Sequence, residues 1–315
     1  MRAGAGALSL LGVPLNVHLL SALGEEERSL ADLSQAVGLP PASTLRAYLR
    51  TLGEWGLVER RQEGAFPGAV SFALTEPGEN LVHTGDLLQR WLKAAPTGEI
   101  ALGSPAAKSA VKALVDGWDA AIIRALAARP CTLTELDRLI PQVSYPALER
   151  RLTAMRKVGQ VEGRRNGNGR GTPYRATAWL CESIVPLIAA TAWERRHASS
   201  STAALGRLDV EALFLLALPL LHPADDLSGS CRLAVELRGE GPNRYAGATV
   251  SFADGGASAT SRLGDEADAW VVGTPLDWFR WINGRHEEVE IGGDLRLALA
   301  LADALRASLV PEQRV

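Results

Sequence analysis

Cysteine is scarce in this chain. Cys131, Cys181 and Cys231 are the only three in 315 residues and are spaced fifty apart, with no CxxC pair and no histidine at ligand spacing. That pattern excludes a disulfide framework and a thiolate metal site, so neither a metal nor a cofactor is expected. Long apolar runs are also missing. The longest, Val210 to Leu221, is broken by Glu211 and Pro219 and falls short of the ~20 residues that a membrane helix requires. The stretch from Met1 to Leu20 is interrupted by Pro14, Asn16 and His18 with no small-x-small cleavage site after it, which reads as mature cytoplasmic sequence with no membrane partner. The five histidines, His18, His83, His197, His222 and His286, are scattered, and no GxSxG, HExxH or glycine-rich nucleotide loop occurs. Catalysis therefore has no support, and no enzyme is expected. Lysine is rare too, with four against 29 arginines.

What is present is a globular composition, 47% hydrophobic and 22% charged, long enough for two or three domains. The net charge of −3 conceals a division. Residues 205–315 hold 10 arginines and no lysine against 17 acids, while residues 1–204 hold 23 bases against 19 acids. A mildly basic front and an acidic back suggest a nucleic-acid partner for one part and a different task for the other.

The chain also resembles itself. Residues 19–81 align with 122–184 at an offset of 103 read as gapless: Leu23 meets Leu126, Leu33 meets Leu136, Leu45 meets Leu148, Leu49 meets Leu152, Leu52 meets Met155 and Gly56 meets Gly159. The front half is thus a duplication. In each copy two short helical segments precede an alternating hairpin. Ser29 caps the first helix of copy one, the turn Gly38-Leu39-Pro40-Pro41 leads into the second, and Gly56 ends it before strands at 57–63 and 69–74. Copy two repeats the plan from the capping box Thr132-Leu133-Thr134-Glu135 to a hairpin tip at Asn166-Gly167-Asn168-Gly169. Helix, turn, helix and hairpin make each copy a predicted winged helix, over residues 1–98 and 104–198.

Residues 116–126, with Leu133 to Leu136 and Leu148 to Leu152, resemble HxlR-type winged-helix regulators, and Leu74 to Leu81 is similar to the strand-to-helix exit shared by HxlR-type and MarR-type proteins. The resemblance implies DNA binding. No cysteine precedes Val13 or Asp116 at the place of the family's redox-sensing thiol, so thiol sensing is not carried over.

Major-groove reading needs side chains on the outer face of the second helix. Steps of 100° around Leu148, Leu152 and Met155 place Arg150, Thr153 and Lys157 outward in copy two. In copy one the same wheel puts Ala47, Arg50 and Glu54 there, and Glu54 would repel phosphate. Residues 141–180 hold eight bases and two acids, whereas residues 38–77 hold four of each. Copy two is the expected DNA reader, through Arg150, Thr153, Lys157 and the hairpin arginines Arg164, Arg165, Arg170 and Arg175. Copy one reads better as a packing or dimerisation module.

After the Ser199 to Thr202 linker the pattern changes. Strands are expected at 231–237, 248–252, 257–262 and 270–272, followed by helix. Ala267 to Arg285, then Val289 to Asp294, is similar to the sterol carrier protein type 2 superfamily, including the C-terminal domain of mycothiol-dependent maleylpyruvate isomerases. That resemblance implies a sheet with helices over one face, enclosing an apolar cavity. Trp270, Trp278, Phe279 and Trp281 are the candidate ligand-binding residues. Asp268 and Asp294 fit turn positions where a carboxylate caps a loop.

The expected fold is therefore mainly α with α+β: two tandem winged helix-turn-helix domains followed by an α+β sterol-carrier-like ligand-binding domain over 205–315. The expected function is a ligand-responsive regulator of transcription. It would bind double-stranded DNA and a small hydrophobic effector, aromatic ones included, with a homodimer left open. The competing reading is a protein that sequesters a hydrophobic metabolite and uses its winged helices to oligomerise.

Overall fold

In a computed structural model of the chain, the residues described are 4–63, 69–115, 117–163, 171–197, 207–221, 227–237, 245–253, 255–260, 263, 266–282 and 288–309. Two compact units emerge, one of Ala3–Val115 with Pro186–Ala203, the other of Asp116–Val185 with Ala204–Val315.

The first unit holds α1 (Ala5–Leu11), α2 (Pro14–Glu25), β1 (Arg28–Ser29), α3 (Leu30–Ala36), α4 (Ala42–Glu54), β2 (Val58–Glu63), β3 (Ala69–Leu74), α5 (Glu76–Lys93) and α6 (Pro105–Val115). Ser29 starts α3 with a capping box: its hydroxyl accepts from the Asp32 amide while the Asp32 carboxylate accepts from the Ser29 amide. Leu45, Leu49 and Leu52 turn one stripe of α4 into the core. Gly56 then adopts φ +69°, a left-handed conformation that stops a helix and that side chains with a Cβ disfavour. The strands pair in the order β1-β3-β2, with Val58 opposite Leu74.

The second unit repeats this order in α7 (Gly117–Ala128), β4 (Cys131–Thr132), α8 (Leu133–Leu139), α9 (Tyr145–Lys157), β5 (Val161–Gly163), β6 (Pro173–Ala176) and α10 (Ala178–Glu182), with strand order β4-β6-β5. The bounds of α7, α8 and α9 are those of α2, α3 and α4 plus 103. Beyond the hairpin the offset changes. Val58 pairs with Leu74 but Val161 pairs with Ala176, and Thr75 and Thr177 do the same work, each donating its hydroxyl to the carbonyl of the helix-ending glycine, Gly56 or Gly159. The alignment is therefore not gapless: copy two has one residue fewer in its hairpin, and the offset from β3 onward is 102.

By position in the repeat, α6 and the helix α11 (Ile184–His197) belong to copy two, yet α6 and the residues of α11 from Pro186 onward pack in the first unit. α6 lies against α1. The buried Glu194 of α11 accepts from the amides of Gly4 at 2.8 Å and Ala7 at 2.9 Å, meeting donors that the first turn of α1 would otherwise leave unpaired. The Trp193 indole donates to the Pro77 carbonyl at 2.8 Å.

The rest of the second unit is α12 (Arg207–Ala217), a 3-10 turn at Leu218–Leu220, β7 (Gly229–Glu236), β8 (Tyr245–Ala253), β9 (Gly256–Thr260), β10 (Ala269–Gly273), α13 (Pro275–Ile282), β11 (Glu290–Gly293) and α14 (Leu295–Leu309). The five strands order as β11-β10-β7-β8-β9, with β10 parallel to β7 and every other pair antiparallel. Alternation along the strands gives the sheet two unlike faces. Cys231, Leu233 and Val235 share one face with Ala246, Ala248, Val250, Ala269 and Val271, all buried, and α12, α13 and α14 pack onto this sheet. Arg232, Thr249, Thr260 and Trp270 share the other. The four expected strands are present, each starting somewhat earlier than expected; β7 ends at Glu236 and leaves Leu237 out, while Ser261 and Arg262 lie outside the described residues. The fifth strand, β11, is additional. Asp268 and Asp294 do cap: Asp268 accepts from the Ser230 amide and hydroxyl, and Asp294 from the Leu297 amide at the start of α14.

Candidate nucleic-acid interface

In α9, Leu148, Leu152 and Met155 are buried and Arg150, Thr153, Arg156 and Lys157 exposed. Arg150, Arg156 and Lys157 form no ion pair with any described residue, so these cations remain available to an anionic partner. The preceding helix, α8, starts with a capping box like that of α3. The Glu135 carboxylate accepts from the Thr132 amide at 2.7 Å and from its hydroxyl at 2.9 Å, with Arg129 beside it at 3.1 Å. These contacts hold the Glu135 carboxyl down at about 2.

Of the hairpin arginines, Arg175 is exposed on β6 and paired with Glu162 across the ladder at 2.5 Å, which offsets part of its charge. Arg164, Arg165 and Arg170 lie outside the described residues, as does the glycine-rich tip between them. Tyr145 is a candidate that the helical wheel missed. It is 44% exposed at the first position of α9, the end of a recognition helix that meets base edges in helix-turn-helix proteins. Its signal was the repeat itself, in which Tyr145 stands opposite Ala42.

Copy one presents a different surface. Arg50 and Glu54 are exposed and lie 3.8 Å apart on α4, and the β2 arginine Arg61 pairs with Glu27 at 2.9 Å and with Glu59 at 2.5 Å. Hydrogen bonds from Ser71 and Arg61 push the Glu27 carboxyl below its usual range. Arg50 and Arg61 are thus answered within the protein, while Arg46 on α4 and Arg60 on β2 are exposed and form no ion pair with any described residue.

The four ligand candidates separate. Trp278 and Trp281 meet edge to face, ring centres 5.1 Å apart, and Phe214 of α12 meets Trp278 in the same way at 5.0 Å. Trp270 sits on the opposite face of the sheet, where its indole covers Gly292, its partner on β11, so closely that a Cβ there would collide with the ring. The side chain of Phe279 lies outside the described residues.

The three thiols are buried, and burial raises their pKa values, Cys181 to about 11 and Cys231 to about 12. No cluster of histidine, cysteine and carboxylate side chains able to hold a metal occurs among the described residues. No single helix among them is long and apolar enough to cross a membrane.

Residues 17–62, from α2 through the start of the hairpin in copy one, match the IclR helix-turn-helix domain. The match is to the IclR type, while Asp116 to Leu126 and Leu74 to Leu81 resemble the HxlR and MarR types, and it falls on copy one rather than on copy two. No curated protein matches the chain. An IclR-type helix-turn-helix domain is a DNA-binding module of transcription regulators, and this chain carries one at residues 17–62.

Proposed function

We propose that the chain is a ligand-responsive transcription regulator with two winged helices in tandem, at 1–98 and 104–198, and a sterol-carrier-like effector layer at 205–315. Copy two is the principal reader of double-stranded DNA. The observation that carries this reading is that Arg150, Arg156 and Lys157 are exposed on α9 without an ion pair to any described residue, on the helix that corresponds by the repeat to α4 within the IclR-type match. Copy one, with Arg50 and Arg61 in ion pairs, contributes chiefly packing.

The effector half of the reading is supported by α12. This helix is buried on nearly every side and packs against both α7 of copy two and the sheet through β8. Its Glu211 forms an ion pair with Arg124 of α7, and its Phe214 touches Trp278. A molecule that favours one arrangement of the aromatic layer over another then acts on a helix that copy two also uses. The coupling has to be reciprocal, so an effector that lowers DNA affinity binds less tightly to the DNA complex by the same factor.

Mobility-shift titration of the full chain with genomic fragments tests the DNA assignment. Arg150→Ala and Lys157→Ala should each weaken binding and lower the slope of log K against log salt by about 0.9 for each phosphate no longer neutralised. Glu54→Ala should not weaken it. Unchanged affinity and slope in both α9 variants would remove copy two as the reader. Hydrophobic ligands that bind tightly without altering DNA affinity would favour metabolite sequestration instead.

A further inference from the structure

The face of the C-terminal sheet opposite Cys231, Leu233 and Val235 carries one row of register partners across all five strands: Thr260, Thr249, Arg232, Trp270 and Gly292. Ser251, Ser258 and Thr260 are exposed on this face, so it opens directly to solvent. Arg232 stands at its centre, on the middle strand, and is the sole cation in the five strands. It is half-buried, and its side chain forms no ion pair or hydrogen bond with any described residue. Its Nε is closed to solvent, whereas its two terminal nitrogens are not. Asp268, two residues before Trp270, gives its carboxylate to the Ser230 amide and hydroxyl instead. Beside the arginine, the Trp270 indole rests on Gly292, where the lack of a Cβ leaves it a seat. Trp270 is half-buried, so part of its ring stays open.

We propose that Arg232 and Trp270 form a binding site for a small, flat aromatic carboxylate. The carboxylate meets the terminal guanidinium nitrogens, whose planar fork matches its two oxygens, and the aromatic body lies on the indole. Charge sets the class of occupant. With 17 acids against 10 arginines, residues 205–315 repel a polyanion such as a nucleic acid or an anionic membrane, while a single unanswered cation suits a single carboxylate. Spacing sets the size: neighbouring strands lie ~5 Å apart, so the guanidinium on β7 and the ring seated over β11 fall within the length of one bicyclic acid. The site is separate from the aromatic layer of Phe214 and Trp278, and it stands whether or not its occupation alters DNA affinity.

The test uses the full-length protein and two probes of one shape and different charge, 2-naphthoate and 2-naphthamide. Equilibrium dialysis of the wild type should favour the naphthoate by about tenfold, the span of a charge-assisted hydrogen bond discounted for solvent. Arg232→Gln should bring that ratio to about one, and Arg232→Lys should keep only part of it, having the charge without the fork. Trp270→Leu should weaken both probes alike and leave the ratio in place. A second measurement needs no variant. Phenylglyoxal modifies accessible guanidinium groups, and peptide mass spectrometry should show Arg232 protected by 2-naphthoate and not by 2-naphthamide at equal concentration. The site is overturned if 2-naphthoate does not bind the wild type, or if Arg232→Gln leaves the preference intact. Trp270→Leu without effect on either probe, or equal modification of Arg232 with both, overturns it as well, and this face is then a solvated sheet surface.

Discussion

The ion pair between Arg124 and Glu211 offers the sharpest test of how copy two and the C-terminal layer are joined. Glu211 is 1% exposed and Arg124 is 36% exposed, so replacing Arg124 by methionine strips a cation from a carboxylate that has almost no water. Breaking a fully buried pair from one side costs about 3–5 kcal/mol. Solvent reaches a third of this arginine, and screening brings the expected loss down to about 2–3 kcal/mol. At roughly 2–4 °C per kcal/mol for a unit of this size, Arg124→Met should lower its melting temperature by about 4–12 °C. Glu211→Gln added to Arg124→Met should recover at least half, because the uncompensated charge is then gone. Thermal melts followed by circular dichroism read both effects. The shift should fall on the second unit, leaving the transition of the first in place. A melting temperature unmoved by Arg124→Met, or a double variant no better than the single one, would refute the reasoning and reduce this contact to an exposed surface pair.

Acid should act on the capping box of α8. Because the Glu135 carboxyl sits at about 2 rather than its ordinary 4.5, its contribution is complete above 4.5 and is lost as pH falls toward 2; Glu135→Gln should flatten that part of the stability profile measured by denaturant titration. The buried thiols, with Cys181 at about 11 and Cys231 at about 12, should resist Ellman's reagent at pH 8 in the native protein and react once it is unfolded. Peroxide should leave DNA affinity unaltered, and a peroxide-sensitive mobility shift would reinstate thiol sensing.

Some of this architecture is written plainly in the chain and some is not. The helices α3, α4, α8 and α9 were legible because leucines at helical spacing coincide with capping residues at both repeats, Ser29 with Asp32 and Thr132 with Glu135. The missing residue in the second hairpin was invisible. Short alternating strands tolerate a shift in alignment, and only the pairing of Val161 with Ala176 reveals it. The parity of Trp270 was hidden for a related reason: Ala269, Trp270, Val271 and Val272 are all apolar, so nothing in the string says which faces the helices. β11, four residues with two glycines, carries too weak a pattern to stand out. Val210 to Leu221 read only as too short and too broken by Glu211 and Pro219 to span a membrane; the burial of the helix it belongs to, α12, was not legible, because a sequence cannot name the surfaces that provide it.

That last helix bears on how such a protein can change. Domains that travel between genes as interchangeable cassettes close their own cores and meet their neighbours through thin, polar seams. α12 does the opposite. Cut before residue 205, the C-terminal sheet would keep the helix but bare the side that α7 and α10 cover; cut after it, copy two and the sheet would both lose a wall. Diversification of the C-terminal layer is thereby pressed toward substitution in place, one side chain at a time, with every change in α12 answerable to two neighbours at once.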